Sequence, residues 1–149
     1  MYTVNKATLP DIEKVSKLYK EYLSFYEVDI TDKNPKQYLI DRLTNNESVI
    51  YFVQDENNNY VGFMQLYPLF CSLGMSRTWL LYDLFVTESS RCHGIAKLLL
   101  DQADKIAEDT NASFIMLSTA VDNLKAQKLY EKNGYEKDIE FLTYLKHSH

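Results

Sequence analysis

The run Trp79-Leu80-Leu81-Tyr82-Asp83-Leu84-Phe85-Val86 is nearly continuous in apolar and aromatic residues, as a strand must be when helices cover both of its faces. Asp83 is its one charged residue. A polar loop, Thr87 to His93, follows. Gly94 then leads into a helix with Ile95, Leu98, Leu99, Ala103, Ile106 and Ala107 on one stripe and Asp101, Asp104, Lys105 and Glu108 mostly off it. Phe114 to Thr119 reads as a further buried strand. Strand, helix and strand in this order call for a parallel crossover, which commits the chain to an α/β sheet with helices packed on it.

The flanking segments fit that frame. Tyr2 to Ala7 alternates as a short first strand, and Thr8 and Pro10 open a helix in which Ile12, Val15, Leu18, Tyr19, Tyr22, Leu23 and Tyr26 recur at helical spacing. Asn34-Pro35 starts a second, weaker helix through about Asn46, with Tyr38, Leu39 and Leu43 inward. Ser48 to Gln54, the polar turn Asp55 to Asn59 and Tyr60 to Phe70 read as an antiparallel hairpin. Leu124 to Asn133 is a helix closed by Gly134, and Phe141, Thr143 and Leu145 alternating with Leu142 and Tyr144 make Tyr135 to Lys146 strand-like. The order is β-α-α-β-β-β-α-β-α-β, without internal repeat or linker, so residues 1–149 form a single domain.

Composition narrows the partners. The formal charge of -5 and pI near 5.2 disfavour nucleic acid, which rewards a basic stripe, and are compatible with a cationic small molecule. No charged-then-apolar leader and no membrane-length apolar run are present, so a cytoplasmic protein without membrane partners is expected. Cys71 and Cys92 lie in unlike contexts without ligand spacing, and neither a disulfide framework nor a metal site is indicated.

The chemistry gathers at the loop after Val86. A helix N-terminus leaves backbone N–H groups unpaired and aims its dipole at an anion, Gly94 permits close approach, Ala96 is small, and Arg91 adds a fixed charge. Taken alone, a glycine near a helix start is more often a plain helix-entry device. Downstream, Asn123 and Tyr130 are seven residues apart, nearly on one helix face. A phenol with a reference pKa of about 10 can protonate a thiolate whose acid has one of about 8.5. On spacing alone, Tyr130 as a core aromatic and Asn123 as an N-cap remain open.

These segments together resemble the GNAT superfamily of N-acetyltransferases. Tyr82-Asp83-Leu84-Phe85-Val86 is similar to the family's fourth strand. Arg91-x-x-Gly94-x-Ala96 is similar to its (Q/R)-x-x-G-x-(G/A) pyrophosphate loop, and Asn123-x-x-Ala126-x-x-Leu129-Tyr130-x-x-x-Gly134-Tyr135 to its Asn-then-Tyr helix. The resemblance is close over Trp79 to Lys146 and rests on element order before that. It implies an α/β, GNAT-like, mixed and mostly antiparallel sheet of 6–7 strands flanked by about four helices. It also implies acetyl-CoA as donor, with backbone from Arg91, Cys92, His93, Gly94, Ile95 and Ala96 on the pyrophosphate and Phe85 and Val86 pairing with the pantetheine arm. Asn123 would hydrogen-bond the cofactor, and Tyr130 would protonate the departing thiolate. The splayed strand would supply a backbone donor to the tetrahedral oxyanion. A homodimer is a further family-level expectation. The family commonly has glycine directly after the loop arginine; here Cys92 and then His93 stand there.

The strand and the run to Tyr130 look most like the diamine, polyamine and histone-type enzymes. Where the diamine enzymes carry a carboxylate before the Asp, this chain has Tyr82, so the base is open between Asp83 and other groups. A carboxylate in an apolar strand needs a raised pKa or a dedicated partner, and Asp83 is equally a structural acceptor on this reading. Tyr26, Tyr38, Tyr82 and Asp83 are the candidate substrate contacts. Tyr19, Tyr22, Phe25, Glu27, Asp29 and Asp32 fall where the family's first helices wall the acceptor site, and aromatic faces with carboxylates suit a cationic amine. The leading expectation is acetyl transfer to the primary amine of a small cationic molecule such as a diamine or polyamine. A lysine or N-terminal amine of a protein is the alternative within the enzymes. A non-catalytic acyl-CoA-binding regulatory module is the alternative outside them.

Overall fold

The computed structural model describes residues 1–148. It divides into two compact units, residues 1–118 and a shorter C-terminal segment from Thr119 onward.

In the first unit, strands β1 (Thr3–Lys6), β2 (Val49–Gln54), β3 (Tyr60–Cys71), β4 (Ser76–Val86) and β5 (Ile115–Met116) form one sheet in sequential order. Neighbours from β1 to β4 are antiparallel, and β4 and β5 are parallel. The crossover between β4 and β5 is helix α3 (Ile95–Asp109), as the strand-helix-strand pattern requires. Asp55 accepts from the N–H groups of Asn57 and Asn59, both at 2.9 Å, and so shapes the β2–β3 turn.

Helices α1 (Ile12–Phe25) and α2 (Pro35–Thr44) precede β2. A short 3₁₀ turn, Leu9–Asp11, leads into α1, where the Thr8 N–H and hydroxyl both donate to Asp11. Asn34 caps α2 by accepting from the Gln37 N–H at 3.1 Å, a contact typically worth about 1 kcal/mol. Ile12, Val15 and Leu18 of α1 and Leu39 of α2 bury against Ile50, Phe52, Phe63 and Phe85 of the sheet. On the opposite face α3 buries Ile95, Leu99, Leu100, Ala103 and Ile106. Period-2 alternation in β2 and β3 divides the two cores, so Phe63 faces α1 and its neighbour Gly62 faces α3. A Cβ on Gly62 would lie 3.0 Å from Ile95 Cγ2, so glycine there lets the start of α3 close onto β3.

The second unit holds helix α4 (Leu124–Lys132) and an irregular stretch after it. Here the expectation is corrected. Five strands are present among the described residues, fewer than the six or seven expected, and the element order ends at α4. Residues 135–146 form no strand, and Ile139, Phe141, Leu142, Tyr144 and Leu145 are exposed. Alternation marks what a strand would bury, but a strand also needs a neighbour to satisfy its backbone, and among the described residues no ladder includes this segment. No helix among the described residues is long and apolar enough to cross a membrane.

Candidate active site

Strand β4 has two unlike halves. It pairs with β3 from Ser76 to Val86 except at Tyr82, but with β5 only at Trp79 and Leu80. Among the described residues, Leu81 to Val86 therefore has no sheet partner on the β5 side. An open edge of this kind presents main-chain donors and acceptors to an extended ligand. The β3 register also shifts here. Gln65 opposes Asp83 and Leu66 opposes Leu81, leaving Tyr82 without a partner. Such a bulge bends the strand and re-aims its side chains. Tyr82 is 64% exposed where its neighbours Leu81 and Asp83 are buried, so this strand is not covered along its whole length as its composition implied.

The loop beyond Val86 is built around backbone that few side chains tolerate. A 3₁₀ turn, Glu88–Ser90, leads to Arg91, and Cys92 and Gly94 both have positive φ, 66° and 76°. The family pattern has glycine where Cys92 stands, and the left-handed backbone at Cys92 supplies the reason. His93 Nδ1 lies 3.1 Å from the Ser90 carbonyl and 2.8 Å from that of Arg91. Since both partners only accept, Nδ1 carries the proton and ties the loop to itself.

Arg91 is not a solvated loop residue. Its Nε donates to the Val86 carbonyl at 3.0 Å, and its guanidinium lies 5.3 Å from the Phe25 ring and 5.6 Å from that of Phe85. Gly94 is the N-cap of α3 and provides no side-chain cap, while the first turn of α3 holds no acid and nothing lies within 4 Å of the Gly94 Cβ position. The N–H groups of Ile95 and Ala96 thus begin a helix without side-chain capping, a geometry that fits a phosphate. The Ile95 side chain itself is buried against Gly62, so only its backbone is available for binding.

On the α1 face, one carboxylate sits among tyrosines. Asp83 is 4% exposed. Its Oδ2 accepts from Gln65 Nε2 at 2.9 Å, and Gln65 Oε1 accepts from the Ser48 hydroxyl at 2.8 Å. Burial pushes the Asp83 pKa above the usual carboxylate value, against the hydrogen bonds from Gln65 and Tyr22 that draw it down. Tyr22 lies with its hydroxyl 3.5 Å from the Tyr82 carbonyl. Burial first, then the charge of Asp83, raises Tyr19 to about 12 and lifts Tyr22, while burial, the hydrogen bond with Tyr38 and then Asp83 lift Tyr67. The Tyr38 and Tyr67 hydroxyls share a hydrogen bond of 2.7 Å that joins α2 to β3. Rings link the set further: Tyr19 meets Tyr38 at 6.1 Å, Tyr67 meets Tyr82 at 5.8 Å and Tyr22 meets Tyr26 at 5.1 Å. Arg42 lies 4.5 Å from the Tyr38 ring and is ion-paired with Glu47.

Of the residues expected at the acceptor, Tyr26, Tyr38, Tyr82 and Asp83 thus belong to one connected set with Tyr19 and Tyr22. The acids after α1 play a different part. Glu27 and Asp32 are exposed, and Asp29 accepts from the Thr31 N–H at 2.9 Å and its hydroxyl at 2.6 Å, shaping its own turn.

The second unit, taken by itself, presents the other two motif residues. The Asn123 side-chain oxygen caps α4 by accepting from the Ala126 N–H at 3.1 Å, which is the structural role left open for it above. At the other end, Tyr135 N–H donates to the Tyr130 carbonyl and Gly134 N–H to that of Glu131, with Gly134 at φ 91°. This is a Schellman closure, and the Tyr130 and Tyr135 rings meet across it at 5.9 Å. The pattern Tyr-x-x-x-Gly-Tyr therefore fixes the Tyr130 backbone and one side of its ring.

The model of the acetyltransferase (GNAT) family matches residues 15–135 of this sequence. The chain belongs to the GNAT acetyltransferase family. An uncharacterized N-acetyltransferase of Bacillus subtilis (strain 168), YhfO, is 38% identical over 141 residues, covering 95% of this chain and 94% of the relative. A crystal structure of a probable acetyltransferase superposes with a TM-score of 0.91 at 38% identity, covering 97% of this chain and 96% of that one. A predicted acetyltransferase from Clostridium acetobutylicum, solved with acetyl-CoA, shares the fold at a TM-score of 0.79 and 23% identity, each chain covered at 100%.

For this GNAT acetyltransferase, sequence reasoning missed Ser48, Gln65 and Tyr67. Gln65 carried a signal: it is the one polar side chain between Val61 and Leu66 and has the parity of Phe63, which points inward. A polar residue at an inward strand position requires a buried partner.

Proposed function

We propose that this GNAT acetyltransferase uses acetyl-CoA to acetylate a primary amine of a small cationic molecule, a diamine or polyamine, with Asp83 accepting the amine proton. The observation that carries the reading is the carboxylate of Asp83, the single buried one among the described residues, held by Gln65 among Tyr19, Tyr22, Tyr38, Tyr67 and Tyr82. Ring faces attract an ammonium, and a carboxylate of raised pKa is a better proton acceptor than an ordinary one. In the reaction the amine nitrogen bonds the acetyl carbon and the carbon–sulfur bond breaks. The amine proton passes to Asp83.

The donor assignment is supported by the geometry of the first unit and by the acetyl-CoA in the Clostridium acetobutylicum relative. Arg91 and the backbone from Cys92 through Ala96 fit a pyrophosphate, because the helix start is uncapped and free of acids. The open edge at Phe85 and Val86 fits an amide-bearing arm. For Asn123 as a cofactor contact and Tyr130 as the proton donor to the thiolate, the support is the motif. We carry residues 1–149 as one catalytic domain, cytoplasmic, acting as a homodimer. The exposed apolar side chains from Ile139 to Leu145 are of the kind a partner surface covers.

A second reading, acetylation of a protein or peptide amine, is favoured by one observation. The β3–β4 hairpin end forms an open groove of about 390 Å³ lined by Phe70, Cys71, Ser72, Met75, Ser76 and Arg77. Thiol release from acetyl-CoA, measured with putrescine, spermidine, aminoglycosides and lysine peptides, separates the two. Higher kcat/KM for the small polyamines supports the first reading, and turnover confined to peptides overturns it.

A further inference from the structure

The established family activity leaves the chain of buried polar groups Ser48, Gln65 and Asp83 without a purpose. All three are nearly inaccessible, at 6%, 0% and 4% exposure. Their hydrogen bonds run in one direction. Ser48 donates its hydroxyl proton to Gln65 Oε1 at 2.8 Å, and Gln65 Nε2 donates to Asp83 Oδ2 at 2.9 Å. An ionised carboxylate has no proton to give and can only accept. Were the amide reversed, its oxygen would face the carboxylate oxygen, an arrangement that requires Asp83 to be protonated. The ionised carboxylate thus turns the amide oxygen toward Ser48, whose hydroxyl satisfies it.

We infer that Gln65, anchored at its oxygen end by Ser48, is a positioning residue that keeps the Asp83 carboxylate ionised and aimed at the acceptor amine. The placement is written into the sheet. Gln65 and Asp83 are register partners across β3 and β4 at the bulge, and Ser48 directly precedes β2, the strand on the other side of β3. The other titratable groups coupled to Asp83 are Tyr19 and Tyr22 from α1 and Tyr67 from β3, and around those phenols lie Tyr38 and Arg42 from α2 and Tyr82 from β4. None of them is a second acid. Tyr19, Tyr22 and Tyr67 are pushed up and remain neutral phenols near pH 7. Arg42 is ion-paired with Glu47. Gln65 is the amide donor, beside the Tyr22 phenol, to a carboxylate that burial drives toward its neutral form.

The inference rests on the reading of Asp83 as proton acceptor, and the experiment separates the two. Full-length protein labelled with ¹³C at aspartate carboxyls is titrated by NMR, with Asp83 assigned by the resonance that Asp83→Asn removes. Gln65→Met removes the donor at similar volume and should raise the Asp83 midpoint by about one pH unit. Ser48→Ala, a milder change that keeps the amide but removes the partner of its oxygen, should move the midpoint the same way by less. The acid limb of kcat/KM for acetyl-CoA and spermidine should follow the midpoint. A lowered Tm in both variants with an unmoved midpoint shows Gln65 to be core filling and overturns the inference. A moved midpoint with an unmoved acid limb, retained in Asp83→Asn, instead overturns Asp83 as acceptor while leaving the Gln65–Asp83 coupling established.

Discussion

Residues 1–118 and the segment from Thr119 onward carry the proposed chemistry on different grounds. In the first, Asp83 lies in a sheet whose core is closed on both faces, and its carboxylate has a buried partner that itself has a buried partner. In the second, α4 contains no buried residue, and Asn123 and Tyr130 show caps and closures that any well-made helix uses. Burying a charge is costly, so a chain that retains Asp83 and a matching amide has a reason beyond packing. A capped helix end requires no such reason. Geometry therefore supports the role of Asp83, while the role of Tyr130 stands on the spacing of a motif.

The largest effect tests the first side of that contrast. Asp83→Asn should lower kcat by about 10³-fold, within the range for a positioned proton acceptor. Its stability should move the other way. The folded pKa of Asp83 is raised, so the folded state holds its proton to higher pH than the unfolded chain does. The cost of the buried charge is absent below the unfolded pKa and appears as pH rises through the folded one. At pH 7, Asp83→Asn should consequently raise Tm, and the gain should shrink toward pH 4. An inactive variant with lowered Tm at all pH values would make Asp83 a structural residue instead.

Tyr130→Phe tests the other side. Loss of the phenolic proton should reduce turnover about 10²-fold, with acetyl-CoA affinity measured by calorimetry nearly kept. The ring contact with Tyr135 survives the change, and an unchanged Tm would tie any loss of turnover to the phenolic proton. Unchanged turnover would mean that the second region contributes only its helix.

The same contrast runs through what could be read from sequence. Apolar periodicity located α1, α2, α3 and β1 to β4 to within a few residues, because these elements pack around a sheet that exists, whereas the buried strand expected over Phe114 to Thr119 shortens to Ile115–Met116 with Met116 exposed. The alternation at residues 135–146 was equally regular and misled, since periodicity cannot show whether a partner strand is present. At the site, the composition of β4 singled out Asp83 but not the bulge at Tyr82, which depends on how two strands align. Gln65 and Ser48 went unnoticed for a related reason. Each is unremarkable by itself, and only the register that brings Gln65 opposite Asp83 gives it meaning.

A smaller effect belongs to the loop after Val86, where charge is expected to matter more than shape. Arg91→Glu removes a guanidinium fixed by Val86, Phe25 and Phe85 and places an anion near an uncapped helix start. Affinity for acetyl-CoA should fall about tenfold, or about 1.4 kcal/mol, and the difference from the parent should narrow in high salt. Undiminished affinity would remove the pyrophosphate from this loop, and the comparison would then rest on Asp83 alone.

The smallest effect concerns the residue that departs from the family pattern. Cys92 holds φ at 66°, a conformation that costs a side-chain-bearing residue about 1 kcal/mol relative to glycine. Its exposed thiol has no packing to lose. Cys92→Gly should therefore stabilise the folded chain by up to about 1 kcal/mol, tempered by the extra entropy of an unfolded glycine, and raise Tm by about 2–4 °C. Turnover and acetyl-CoA affinity should stay close to the parent, because the backbone path through Arg91, His93 and Gly94 already has the form glycine would adopt. A fall in affinity with an unchanged Tm would give the Cys92 side chain a contact with the donor that the loop geometry does not require. That result would sharpen the contrast between the units by placing a second side-chain contribution in the first one.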